Sequence, residues 1–265
     1  MNDDEPSLAS RVNWGNFNNA YPYIAIPGHP IAMFYGHIFD GVYQYTDFDK
    51  VGESYILKDG VPNNGNAREK IQPGDIKFKD INRDGVVNDY DLTIIGNPNP
   101  KHIGGFGNNF QYKNFDLNVF FQWSYGGDVL NANRIEFEGG DPNARTSLNM
   151  FASFANRWTP ENQTNELYRI GRQGPAVYSS RTIEDGSFLR LKTVSLGYRL
   201  PNAWLKKINI KSLRVYASAQ NLITWTRYSG PDPEVSTRPT ALTPSFDWSP
   251  YPRPRTLTLG VDISF

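Results

Sequence analysis

The chain has 265 residues, in which 27 Lys and Arg balance 27 Asp and Glu to give a formal net charge of zero. A nucleic-acid-binding protein is expected to carry a basic surplus, so we expect no nucleic-acid partner. Cysteine is absent, which excludes disulfides and thiolate metal sites. No run of about eighteen apolar residues is present, and the sequence therefore contains no candidate for a transmembrane helix.

The N-terminal part of the chain gives weak secondary-structure signals. Residues 1–29 are rich in Asn and Pro, and we expect them to be irregular apart from a weak strand at 21–26. The segment 30–44 is aromatic and punctuated by glycines, which predicts a strand or a strand pair bent at a glycine. Residues 45–74 are polar and predict a loop. The opening decapeptide has no basic region and no apolar stretch, so we expect no signal peptide there.

A loop rich in Asp and Asn follows within residues 75–100 and has the spacing of an EF-hand calcium loop. Acidic or amide side chains stand at positions 1, 3, 5, 9 and 12 of the loop, with Gly85 at position 6 for the sharp turn and a backbone carbonyl at position 7. Hard oxygen ligands at this spacing point inward and favour Ca²⁺. The predicted metal ligands are Asp80, Asn82, Asp84, Val86, Asn88 and Asp91.

A second interpretation of the same loop stays open. Position 12 is Asp91 rather than Glu, so its bidentate contact has a shorter reach, and Pro73 and Gly74 interrupt any helix before the loop. The same Asp and Asn side chains would also suit an Asx-rich turn, in which they accept hydrogen bonds from backbone amides without any metal.

From residue 101 onward, strands with two chemically different faces are predicted. The terminal segment 255–265 alternates strictly: odd positions from 257 carry Leu, Leu, Val, Ile and Phe, and even positions from 256 carry Thr, Thr, Gly, Asp and Ser. Its length suits a tilted strand of about 9–11 residues that crosses a membrane. The segments 102–112 and 115–125 alternate in the same way and predict a hairpin with a two-residue turn. Further alternating strands are predicted in 187–201 and 212–225.

The lengths of the connections indicate how the strands cross the membrane. From residue 101 they run short, long, medium and long, as in outer-membrane barrels with short inner turns and long outer loops. We therefore expect the segments 45–100, 126–186 and 228–254 to be extracellular. The residues predicted to line the lumen are Arg190, Lys192, Arg214, Tyr216 and Gln220. Four aromatic residues at the outer strand ends form either an interfacial girdle or ordinary strand-end packing: Trp123, Tyr125, Trp225 and Tyr228.

Seven motifs in a fixed order resemble the C-terminal part of the SusC/RagA-type TonB-dependent outer-membrane transporters of Bacteroidetes. They cover nearly all of residues 30–265. The motifs are MFYGHIFDGVYQ (33–44), PGDIKFKDINRDGVVNDYDLTIIGNPNPK (73–101), GFGNNFQYKNFDLNVFFQ (105–122), RWTPEN (157–162), EDGSFLRLKTVSLGYRLP (184–201), LRVYASAQNLITWTRYSGPDPEV (213–235) and YPRPRTLTLGVDISF (251–265).

This resemblance implies an all-β fold: an antiparallel transmembrane β-barrel segment of about six to eight strands, with long extracellular loops, from a larger plugged barrel in the cell outer membrane. Residues 1–265 would be the C-terminal part of the receptor barrel, with 1–29 irregular, 75–100 an extracellular loop that carries the calcium-like motif, and 101–265 the strands and loops to the terminal strand. Phe265 would match the terminal aromatic residue that the barrel-assembly machinery reads.

The resemblance also implies a function. Such transporters import oligosaccharides or peptides, are driven through the TonB system, and carry a SusD-like surface lipoprotein as a lid. Outer-membrane lipid would contact the apolar faces of the strands. The expected function is therefore nutrient import rather than catalysis, and we expect this chain to be a fragment that is inactive alone.

Two other hypotheses are compatible with parts of the sequence. A soluble, calcium-stabilised β-domain would bind glycans on aromatic loop residues such as Trp158 and Trp248. A standalone eight-strand barrel fits the strand count, although no particular residues favour it. An enzyme has little support, because the histidines His29, His37 and His102 show no ligand spacing and no nucleophile motif is present.

Overall fold

A computed structural model describes residues 12–15, 17, 20–139, 149–170, 178–206, 209–238 and 240–265. The chain divides into two compact units. The first unit consists of Met1–Asn99, Asp128–Glu184 and Val235–Pro250, and the second of Pro100–Gly127, Asp185–Glu234 and Tyr251–Phe265.

Strands dominate the part of the chain that the structure describes. The strands are β1 (Val12–Trp14), β2 (Tyr23–Ala25), β3 (Met33–Gly36), β4 (Phe39–Val42), β5 (Phe48–Val51), β6 (Ser54–Leu57), β7 (Ile76–Phe78), β8 (Thr93–Gly96), β9 (His102–Tyr112), β10 (Phe115–Tyr125), β11 (Asp128–Asn131), β12 (Ile183–Asp185), β13 (Phe188–Arg199), β14 (Ser212–Thr226), β15 (Phe246–Asp247) and β16 (Thr256–Ser264). The α-helices are α1 (Ala132–Glu138) and α2 (Asn202–Leu205), and short 3-10 turns occur at Tyr45–Asp47, Arg68–Lys70, Asp89–Asp91, Ala152–Asn156 and Ser180–Thr182. Among the described residues, no helix has the length and apolar character needed to cross a membrane.

The second unit is built on one antiparallel sheet of five long strands in the order β16-β14-β13-β10-β9. The predicted hairpin is present: Phe115 lies opposite Tyr112, and Lys113 and Asn114 form the turn between them. Lys113 adopts a positive φ of 53°, as tight two-residue hairpin turns commonly require. Of the six to eight barrel strands that the sequence predicts, five long strands form this sheet among the described residues. The segment 30–44 forms the predicted strand pair as the short strands β3 and β4, which lie in other sheets.

The strand register aligns most apolar positions of the five strands on one face. One row across the sheet consists of Leu259, Ala217, Leu196, Leu117 and Phe110. The next row, on the opposite face, consists of Thr258, Ser218, Ser195, Asn118 and Asn109. The alternation predicted from the sequence is therefore confirmed across the whole sheet, and the sheet has one apolar face and one polar face.

A β-bulge at Lys192 keeps the apolar side chains on both sides of it in β13 on the apolar face of the sheet. The pairing to β10 skips Lys192, between Leu191 and Thr193. The extra residue shifts the alternation by one, so that Leu191 and Val194 both lie on the apolar face. Without the bulge, one half of the strand would present its apolar side chains to the polar face.

The connections leave the sheet as the sequence predicts. Ser124 pairs with Phe188 and Phe188 with Thr226, so the long connections depart from one end of the sheet. The link at Lys113 and the link between β13 and β14 lie at the opposite end. At the first end, Trp123, Leu189 and Trp225 form one row on the apolar face, where a girdle is expected.

The first unit corrects the prediction that its segments are loops. Residues 45–74 contain the hairpin β5–β6, the segment 126–186 contains β11, α1 and β12, and residues 1–29 contain β1. The weak strand predicted at 21–26 is present as β2. These stretches fold because their apolar side chains pack on one another into buried clusters. One cluster contains Tyr23, Phe34, Leu130, Ile135 and Phe246, and a second contains Val42, Ile76, Phe78, Trp158 and Tyr168.

Candidate functional site

The polar face of the long sheet is the candidate functional surface. It carries all the residues that the sequence predicts to line a lumen: Arg190, Lys192, Arg214, Tyr216 and Gln220. The three charged side chains among them, Arg190, Lys192 and Arg214, all have hydrogen-bond partners. Arg190 and Arg214 belong to two ion-pair clusters, one towards each end of the strands, and Lys192 lies among neutral polar groups between them.

The first cluster is centred on Arg214 of β14. Its Nε and Nη2 atoms donate to Asp116 on β10 at 2.9 and 2.6 Å, and its Nη1 donates to Asp262 on β16 at 3.1 Å. The fork-shaped guanidinium suits a carboxylate in this two-bond arrangement. Arg214 must cross β13 to reach Asp116, and it does so where β13 has Gly197, since a Cβ there would lie 2.5 Å from Nη2.

The second cluster is centred on Arg190 of β13. Its Nη2 donates to Asp232 at 2.5 Å, its Nη1 to Glu234 at 3.1 Å, and its Nε to Thr224 at 3.1 Å. Only 2% of the Arg190 side chain is exposed, so the predicted lumen-facing arginine is covered by the segment that holds these carboxylates. Arg253 joins the same two carboxylates from the segment before β16.

Between the clusters the polar face is largely uncharged. Lys192 Nζ donates to Gln122 Oε1 at 2.6 Å, and the amides of Asn118 and Asn109 are hydrogen-bonded across the hairpin. Phe120 is the large apolar side chain of β10 on this face, and it lies over Gly105 of the neighbouring strand. This face therefore offers hydrogen-bond donors and acceptors, with Arg190 and Arg214 paired to carboxylates and Lys192 hydrogen-bonded to an amide oxygen, which suits the passage of a polar solute.

For two other aromatic residues, the structure decides between alternatives that the sequence leaves open. Trp158 is 5% exposed in a hydrophobic cluster and donates its Nε1 hydrogen bond to Gln44, so it offers no open face to a glycan. Tyr228 is buried after the end of β14 and does not contribute to an aromatic girdle. Trp248 is partly buried against the other hydrophobic cluster.

The predicted calcium loop is closed by its own hydrogen bonds. The Asp80 carboxylate accepts from the amides of Arg83 at 2.6 Å and Gly85 at 2.8 Å, and Gly85 has a positive φ of 84°. Asn82 and Asp84 lie beside each other, with Asn82 Nδ2 donating to Asp84 at 2.9 Å. The first half of the loop is therefore turned tightly around Asp80.

The second half of the loop is organised around Asp91. This residue is fully buried, and its carboxylate accepts from the amides of Ile81 at 2.8 Å and Asn88 at 2.9 Å. The Val86 carbonyl accepts from the Asn88 side chain at 3.2 Å. These are the bonds of an Asx-rich turn. Within the described ranges, no three His, Asp or Glu side chains come together in a group that could hold a metal ion.

Comparison with known proteins places the chain among large receptors. TonB-dependent receptor P3 of Formosa agariphila is 36% identical over 256 residues, which are 95% of this chain and 24% of that protein. TonB-dependent receptor SusC of Bacteroides thetaiotaomicron is 32% identical over 200 residues, which are 74% of this chain and 18% of that protein. The chain thus spans about a quarter or less of the curated relatives that it matches.

A likeness to solved structures extends over the same part of the chain. A structure of the RagAB peptide transporter matches 97% of this chain and 24% of that chain, with a TM-score of 0.69 and 24% sequence identity. The RagAB peptide importer in its open-open state matches 98% of this chain with a TM-score of 0.65. No family model matches the sequence.

Proposed function

We propose that this chain, which belongs to the SusC/RagA-type TonB-dependent receptors of the outer membrane, contributes barrel wall and outer loops to a nutrient importer. Its long sheet is a segment of the antiparallel barrel of these receptors. The proposed role is transport rather than catalysis. Since the chain spans about a quarter of its relatives, import would require the rest of a receptor.

The observation that carries this proposal is the two-faced register of the long sheet. The rows through Leu196 and Ser195 are adjacent in sequence and opposite in chemistry across all five strands. Leu257 and Leu259 are 76% and 85% exposed on the apolar face. In a transmembrane barrel such a face contacts lipid, and the polar face lines the interior.

The proposal also includes the partners of the receptor. The connections 45–100, 126–186 and 228–254 would meet a SusD-like surface lipoprotein and the substrate, and the TonB system would act through other parts of the receptor. The substrate would be an oligosaccharide or a peptide, since the polar face presents hydrogen-bond donors and acceptors, neutral amides among them. RagAB is described as a peptide transporter, which supports this class without selecting within it.

We also propose that the loop 80–91 binds one Ca²⁺ outside the cell. Support comes from the order of oxygen-bearing residues and from the Asp80–Gly85 contact, which joins positions 1 and 6 of the loop. Asp80, Asn82, Asp84 and the Val86 carbonyl would hold the ion, with Asn88 completing the set. Asp91 would have to exchange the hydrogen bonds that it accepts from the amides of Ile81, Asn82 and Asn88 to take part.

Membrane fractionation tests the proposed location and role. In cells that produce the receptor, an antibody against residues 251–265 should detect the protein in the outer-membrane fraction. The detected band should migrate differently before and after boiling, as folded barrels do. Detection in the soluble fraction, without detergent, would contradict the proposal and favour the soluble β-domain.

A further inference from the structure

We propose that Arg190 and Arg253 clamp the segment Tyr228–Glu234 over the polar face of the long sheet, and that this clamped segment limits the size of the solute admitted beside it. Arg190 and Arg253 act here as positioning residues. The effect on solute size rests on the proposed transport function, whereas the clamp itself rests on the geometry of the sheet.

Arg190 supplies the inner half of the clamp. All three guanidinium nitrogens are engaged, two by the carboxylates of Asp232 and Glu234 and one by Thr224. The guanidinium carbon lies over the ring of Phe188, 5.1 Å from the ring centroid. Because a buried guanidinium is costly unless it is fully paired, the position of the two carboxylates is strongly determined.

Arg253 supplies the outer half. Its Nε lies 3.2 Å from Asp232 and its Nη1 2.7 Å from Glu234, and its Nη2 donates to the Glu234 carbonyl at 3.4 Å. Two arginines and two carboxylates therefore form a neutral group of four charges. Arg253 is 44% exposed, whereas Arg190 is almost fully buried, so the segment lies between an inner and an outer cation.

The segment itself is built to hold one shape. Pro231 and Pro233 restrict its backbone, and the amide of Glu234 donates to the Asp232 carboxylate at 2.9 Å. Tyr228 and Asp232 are buried, and a Cβ at Gly230 would collide with the Tyr228 ring. The side chain of Gln122, on β10, reaches Glu234 at 3.4 Å. The segment is therefore tied to the sheet at several points.

The consequence concerns what a solute meets at this end of the polar face. Phe188 and Arg190 lie on that face and are buried, and the segment covers Arg190 through the Asp232 and Glu234 carboxylates. A passing solute would contact the clamped segment instead. Release of the clamp would expose Arg190 and widen the passage beside it.

Hydrogen exchange measured by mass spectrometry on the purified full-length receptor tests the clamp directly. In Arg190→Ala, the amides of residues 228–235 should exchange about a hundredfold faster than in the wild type, because two carboxylates lose their buried partner. Arg190→Lys keeps the charge without the fork and should restore part of the protection. Arg199→Ala is the matched control, since Arg199 is exposed on the same strand, far from the segment.

The outcomes separate the clamp from the transport function. Unchanged exchange in residues 228–235 of Arg190→Ala would overturn the proposal. If that variant does not fold, Arg253→Ala, at an exposed position, should still speed exchange about tenfold in the same peptide.

Uptake of a size series of oligosaccharides and peptides is the second readout: released variants should admit larger members. Faster exchange with an unchanged size limit would confirm the clamp and overturn its role in size selection. If the wild-type receptor takes up no solute, the transport function alone is overturned.

Discussion

Arg214 reaches Asp116 from two strands away by passing over Gly197. The intervening strand β13 contributes no side chain at the crossing point, and the two N–H···O bonds of 2.9 and 2.6 Å depend on that gap. A glycine in the middle of a strand normally weakens it. Here the glycine permits an ion pair between β10 and β14, which are not neighbours in the sheet.

Replacement of Gly197 by Ala should therefore break this ion pair. The new Cβ would lie 2.5 Å from Arg214 Nη2 and 2.6 Å from Asp116 Oδ1, so one of the two side chains must move away. We expect a loss of about 1–3 kcal/mol in the free energy of unfolding, measured by urea titration of the receptor in detergent. Gly107→Ala is the control, because its nearest neighbour atom would be 3.5 Å away. Equal effects of the two substitutions would contradict this account.

Acidification should weaken the first unit through Glu138. Burial alone would raise the pKa of this carboxyl, but the hydrogen bond from Ser153 and the charges of Arg134 and Arg181 hold its pKa below the usual 4.5. A carboxyl with a lowered pKa in the folded state contributes stability that is complete above its unfolded pKa and is lost as the pH falls through its folded pKa.

The melting temperature of the wild type should thus fall more between pH 6 and pH 3 than that of Glu138→Gln, on the order of a few degrees. At pH 6, the variant should be the less stable protein, since it leaves Arg134 and Arg181 without their shared carboxylate. An identical pH dependence in both proteins would show that Glu138 does not act in this way.

Calcium should stabilise the loop 80–91 if the oxygen ligands act together. Titration calorimetry of the receptor should detect a binding event that Asp80→Asn and Asp84→Asn each weaken by at least about tenfold, because each removes one anionic ligand. Asp89→Asn is the matched control, since Asp89 is exposed at a position of the loop that bears no predicted ligand. Absence of calcium-dependent heat in the wild type would leave the loop as an Asx-rich turn.

Substitution of Trp158 distinguishes a packing role of this side chain from a role in glycan binding. Trp158→Ala should cost about 3–5 kcal/mol of stability in the first unit, because a large buried side chain leaves a cavity. Trp204→Ala, at a side chain that is 63% exposed, should cost little. Differential scanning calorimetry checks both. A stable Trp158→Ala variant with altered glycan affinity would favour the soluble β-domain.

The sequence was sufficient to predict the long sheet because its signal is local. The alternation from Leu257 to Phe265 has a period of two residues that needs no knowledge of partners, and Lys113 with Asn114 marks the hairpin turn. The aromatic row containing Trp123 and Trp225 follows from the same alternation.

The first unit could not be predicted in this way, because its contacts join distant segments. Leu130 of β11 pairs in parallel with Phe246 of β15, although they are more than a hundred residues apart. Strands of two to four residues are too short for a periodic pattern to emerge. The burial of Arg190 could not be predicted from the sequence either. Alternation places Arg190 on the polar face, but only the position of Asp232 in the structure shows that the Arg190 side chain is covered.

The central claim is that the apolar face of the long sheet contacts lipid and the polar face lines the barrel. Val194 and Ser195 are adjacent at mid-strand on opposite faces, so Val194→Arg and Ser195→Arg compare the two faces directly. The measurement is the fraction of full-length receptor folded in the outer membrane, read from its heat-modifiable migration. Val194→Arg should lower that fraction strongly, since a cation near the bilayer midplane costs about 2–4 kcal/mol, whereas Ser195→Arg should assemble as the wild type does. Equal assembly of the two variants, or a greater loss in Ser195→Arg, would contradict the claim.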